Sequence, residues 1–163
     1  MASGDTLLVF TTANNEPPAS NYATLDTRNS FLVLDFDDTT AEGGVFRAIM
    51  PRNYAGGGIT VYVHWAATSA TSGTGGWTVE IERNADGGTD TDADSFASAQ
   101  TITAATVPGT SGVLIYTNVA ITAGANMDSL AVGESFRMRI KRDVANDTAT
   151  GDLELFTVEV KET

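Results

Sequence analysis

Apolar and polar side chains alternate at a period of two in this chain, and turn residues break the alternation at intervals. This pattern restricts the fold more than any other feature. Ile59-Thr60-Val61-Tyr62-Val63-His64-Trp65 places Ile, Val, Val and Trp on one face. Trp77-Thr78-Val79-Glu80-Ile81-Glu82 repeats the arrangement with Thr and two Glu on the opposite side. Ser135-Phe136-Arg137-Met138-Arg139-Ile140-Lys141 does so again, its three cations all on one face. A period of two is the signature of a half-buried strand, because successive side chains leave a strand on opposite faces. No window of about twelve residues carries the 3.6-residue period of an amphipathic helix.

Shorter strands are expected at Thr6–Thr11, Tyr22–Thr27, Phe31–Phe36, Val45–Met50, Gln100–Thr106 and Val113–Ile121. Leu153 to Val160 is a further strand whose phase slips: Leu153 and Leu155 share one face, whereas Phe156, Val158 and Val160 share the other. A β-bulge near residue 155, or burial on both sides, accounts for the slip. The loops ATSATSGTGG and DVANDTATGD are rich in turn formers, so the strands on either side of each are expected to pair as hairpins. DADSFASAQ has room for one helical turn. Eight to ten short strands with no helices between them exclude a parallel α/β fold. They point to an all-β antiparallel jelly roll or β-sandwich. Residues 1–21, with Pro17-Pro18 among polar residues, read as an extended N-terminal arm, and residues 22–163 as the sandwich domain. At 163 residues the chain is long enough for one core without disulfides, and it contains no cysteine.

Charge narrows the partners. The net charge of −12 repels phosphate backbones, which argues against nucleic acid. No apolar run reaches the roughly 18 residues of a membrane span, and the N-terminus lacks a signal-peptide pattern. The expected chain is therefore made in the cytoplasm and binds neither membrane nor nucleic acid.

Four groups of residues bear on chemistry. Asp35 and Asp37 in FLVLDFDDTT match the DxDxT signature of haloacid-dehalogenase-type phosphatases, whose first Asp is a nucleophile and whose second is a general acid beside Mg²⁺. That family needs a doubly wound parallel sheet and a later Lys outside a hairpin, and this sequence offers neither. Asp90, Asp92 and Asp94 alternate in an oxygen-rich loop of the kind that holds Ca²⁺, but Ser95 stands where an EF-hand needs Gly and Thr101 where it needs Glu. A solvated acidic loop is the plainer reading. The lone histidine, His64, leaves zinc sites and catalytic triads without material. Tyr62, His64, Tyr54 and Trp77 are candidates for an aromatic sugar platform, although Trp77 falls in phase with the core. Arg137, Arg139 and Lys141 form a basic stripe. It either pairs across strands with Glu80, Glu82 or Glu154, or, with Tyr62 and His64, forms a docking interface. No constellation supports an enzyme or a required cofactor.

The runs MPRNYAGGGITVYVHWAATSATSGTGGWTVEIERNADG and AGANMDSLAVGESFRMRIKRD resemble small jelly-roll virion proteins encoded among the structural genes of marine tailed phages. That resemblance implies a capsid decoration or cement protein, a homotrimer bound to the major capsid protein on the outer surface of the head, with no catalytic residues. The alternative expectation is a tail-associated, glycan-binding β-sandwich domain.

Overall fold

Each strand presents one apolar row, and a row is buried only against another row, so two sheets must face each other. A computed structural model describes residues 4–163 and has this arrangement. The strands are β1 (Thr6–Thr11), β2 (Thr24–Arg28), β3 (Phe31–Phe36), β4 (Gly43–Ile49), β5 (Ile59–Ala67), β6 (Thr74–Asn84), β7 (Gln100–Thr106), β8 (Ile115–Ile121), β9 (Ser135–Arg142) and β10 (Leu153–Glu162). The larger sheet runs β2-β3-β10-β5-β8, with β1 also paired to β10. The smaller runs β4-β9-β6-β7. Every strand pairing is antiparallel, as the alternation predicted.

The two expected hairpins do not form. β5 lies in the larger sheet and β6 in the smaller, and β9 and β10 are divided in the same way. Alternation reports which face of a strand is buried, not which strand lies beside it. Here both loops cross from one sheet to the other, and the inward rows meet face to face. Trp65 of β5 and Trp77 of β6 therefore pack edge-on across the core at 6.0 Å, with Phe36 meeting Trp77 at 4.9 Å. Both indoles are fully buried. The Trp65 Nε1–H donates to Thr117 Oγ1 at 3.0 Å. Glycine at position 75 makes room for this pair, since a Cβ there would collide with the Trp65 ring.

The phase slip in β10 is a bulge. Its register against β5 shifts between Leu155 and Thr157, so Phe156 is the extra residue. The bulge divides one side of β10 between two neighbours: β3 pairs with Leu153–Leu155, and β1 with Thr157 to Lys161. Residues 92–99 form no helical turn.

Within the expected arm, the described residues 4–21 do not reach away from the domain; residues 1–3 lie outside the described residues. β1 is part of the larger sheet, and the chain then crosses to the smaller one. Asn15 Oδ1 accepts from Val45 N–H, Glu16 N–H donates to the Val45 carbonyl, and Gly43 N–H donates to the Asn21 carbonyl. Residues 15–21 thus cover the free edge of β4. Pro17-Pro18 suits this place, because proline has no N–H to leave unpaired and holds the chain extended.

Candidate functional site

On β9 the odd-numbered residues leave the core, so Arg137, Arg139 and Lys141 stand in a row on the outer face of the smaller sheet. Two loops rise on either side of that row. One is the Glu16–Asn21 segment. The other is the irregular stretch after β6, tied down where Ala97 N–H donates to the Ile81 carbonyl at 2.8 Å. Between them three adjoining clefts of about 260, 340 and 330 Å³ share lining residues and form one trough along β9. Lys141 lies at one end, Arg139 and Arg137 form the middle, and Asn84 and Ser135 close the other end.

The two arginines are held in place. Arg139 Nε donates to Glu80 at 2.6 Å, and Arg137 pairs with the fully buried Glu82. These are the cross-strand pairings expected for Glu80 and Glu82. Glu154 instead pairs with Arg28 at 2.7 Å on the larger sheet. Asp94 descends from the loop and accepts from both arginines, at 2.9 Å from Arg137 and 3.3 Å from Arg139. The Phe96 ring lies over both guanidinium groups, 4.1 Å from that of Arg139 and 5.1 Å from that of Arg137. Burial disfavours the charged form of Arg137, but its hydrogen bonds to Glu82 and Asp94 outweigh this and raise its pKa above the ordinary value. Lys141 makes no ion pair among the described residues and lines one end of the trough. Its stem crosses Gly43, where a Cβ would stand 3.3 Å from Lys141 Cγ.

The other expected residues lie elsewhere. Tyr62 and His64 are on the outer face of the larger sheet, on the opposite side of the sandwich. His64 stacks on Tyr116 of β8 at 4.0 Å and 19°, and Lys161 Nζ lies 5.2 Å from the Tyr62 ring. Burial lowers the pKa of His64 against the pull of Glu159, which favours the neutral imidazole. Tyr54 and Trp77 are buried and leave the platform; the Tyr54 hydroxyl accepts the Gly58 N–H at 2.8 Å.

Asp90, Asp92 and Asp94 do not converge. Asp90 accepts the Asp92 N–H, while Asp94 is taken up by the arginines. Among the described residues, the carboxylates close enough to share a cation are Asp37, Asp38 and Asp152, whose oxygens lie within 4.8 Å of one another. Asp37 already accepts from Thr39 and Thr40, which draws its pKa down to about 2, and Asp38 accepts the Gly151 N–H at 2.7 Å. Burial raises the pKa of Asp152, and Asp37 and Asp38 add to the rise. Asp35 stands apart from this group, bonded to Thr68, with its pKa raised to about 6 by burial.

No protein-family model matches the chain, and no curated protein matches its sequence. Solved structures do match its shape. A family 35 carbohydrate-binding module from an environmental isolate superposes with a TM-score of 0.57 at 11% identity, over 96% of this chain and 94% of that one. The CBM35 from Cellvibrio japonicus Abf62 gives 0.55 at 11% over the same shares. The CBM22-2 xylan-binding domain from Paenibacillus barcinonensis Xyn10C gives 0.53 at 14%, over 93% of each chain. The fold is that of carbohydrate-binding modules. This corrects the expectation of a capsid decoration protein on a phage head, because these structural neighbours are carbohydrate-binding modules and not virion proteins. Gly-rich turns and alternating strands carried the phage resemblance, and any jelly roll has both.

Proposed function

We propose that this chain is a non-enzymatic glycan-binding domain and that the trough along β9 is where it binds. The trough itself carries the proposal: it is an open channel across a sheet face, walled by two loops and lined by charged side chains already fixed in position. Sugar hydroxyls are both donors and acceptors. Adjacent hydroxyls match the planar fork of an arginine and the paired oxygens of a carboxylate. Arg137, Arg139 and Asp94 supply both types in one row, with little side-chain entropy left to lose. The shared fold with modules described as carbohydrate-binding and xylan-binding supports the same reading.

The stacked His64–Tyr116 pair is a second place for a sugar, since Tyr116 is 61% exposed and presents a flat ring. Affinity electrophoresis against a panel of soluble polysaccharides separates the two. Loss of retardation in Arg139→Ala, with Tyr116→Ala unchanged, places binding in the trough; the converse places it on the larger sheet.

A further inference from the structure

From Ser95 to Met127 the chain carries no Asp, Glu, Lys, Arg or His, a run of 33 residues in a molecule of net charge −12. The fold gathers this run on one flank. It supplies β7, the outermost strand of the smaller sheet, and β8, the outermost strand of the larger one, and the two lie side by side. An outer strand exposes a row of unpaired N–H and C=O groups, a template for another strand. Proteins usually block such edges with charge, proline or a covering segment. Here β2 carries Asp26 and Arg28, and β4 is covered by residues 15–21. β8, IYTNVAI, has no such block, and its Tyr116 and the preceding Val113 and Leu114 are 45–61% exposed.

We infer that β8 is the docking edge for a second copy of this chain, paired antiparallel about a two-fold axis. Charge selects the occupant: two copies at −12 repel each other over most approaches, and this uncharged flank lets the backbones meet without facing like charges. The strand is also self-complementary. Pairing centred on Asn118 sets Tyr116 beside the partner's Ala120, a large ring against a small side chain. It keeps Tyr116, Asn118 and Ala120 on the outer face in both copies. A two-fold axis between antiparallel strands runs perpendicular to the sheet, so both β9 troughs open to the same side of the dimer. Where the trough holds a glycan, as proposed above, one polysaccharide chain then meets two sites at once.

Sedimentation of the ligand-free protein over a dilution series tests the pairing independently of the glycan reading. The wild type is expected to form dimers that tighten as salt rises, because salt screens the repulsion and removes no attraction. Asn118→Lys and Asn118→Asp each set two like charges directly across the axis and should weaken the dimer by roughly a hundredfold. Circular dichroism checks that both variants fold. Val9→Lys, on the exposed edge strand β1, should leave the dimer unchanged. A wild type that stays monomeric, a trimer, or a dimer that survives both Asn118 substitutions overturns the inference.

Discussion

Replacing Asp147 by Ala removes the carboxylate that holds Arg142, whose side chain is fully buried. Its guanidinium has five N–H donors and all are used. Nε and one Nη2 hydrogen go to Asp147 at 2.6 and 3.1 Å, and the others to the carbonyls of Phe36, Ala149 and Gly151 at 2.8–3.0 Å. The Arg142 side chain has no exposed surface and that of Asp147 has 3%, so water cannot replace the lost carboxylate without opening the β9–β10 loop. Removing one partner of a buried ion pair costs about 3–5 kcal/mol. For a chain of this length that corresponds to a fall of roughly 6–20 °C in Tm. Urea and thermal unfolding followed by tryptophan fluorescence would read it, with Arg47→Ala, which breaks an exposed pair with Glu16, as the reference at under about 1 kcal/mol. An Asp147→Ala protein within about 1 kcal/mol of wild type would refute the reasoning. Arg142 would then not be a buried cation satisfied by this loop.

Gly75→Ala should cost about 1–3 kcal/mol in urea unfolding, because its Cβ meets the Trp65 ring and the packed indoles have no space to yield. Asp35 should destabilise the fold at neutral pH. Its folded pKa of about 6 lies above the ordinary 3.8, so its contribution is most favourable below 3.8 and is lost as the pH rises through about 6. Asp35→Asn is accordingly expected to raise stability by about 1 kcal/mol at pH 7.5, after allowing for partial exposure, with no gain at pH 3.5. Tyr116→Ala should leave the unfolding free energy within about 1 kcal/mol of wild type in urea, since its ring is largely exposed.

The alternation made the sheets legible because a sandwich rewards a strict inward row: Ile59, Val61, Val63 and Trp65 are all fully buried. It also exposed the bulge, because one extra residue inverts the phase of Phe156 to Val160. Strand partners were not legible, since β5 and β6 carry the same pattern whether they share a sheet or face each other across the core. The trough was half legible. Arg137, Arg139 and Lys141 sit in phase, but the walls come from Glu16–Asn21 and Phe96, brought there by pairing far along the chain. Phe96 follows three aspartates in a polar loop, and nothing local shows that it will cap two guanidinium groups. Arg142 did leave a signal. As the fourth cation of SFRMRIKR it falls on the apolar face, where a cation demands a buried anion.

The central claim is that the β9 trough binds a glycan, and titration calorimetry with soluble xylan and other polysaccharides, on wild type and Arg139→Ala, tests it most directly. The account predicts measurable heat of binding for at least one polysaccharide, and a loss of roughly tenfold or more in affinity in Arg139→Ala, whose fold is intact. Binding that is unchanged in Arg139→Ala, or no binding to any polysaccharide by the wild type, would contradict it.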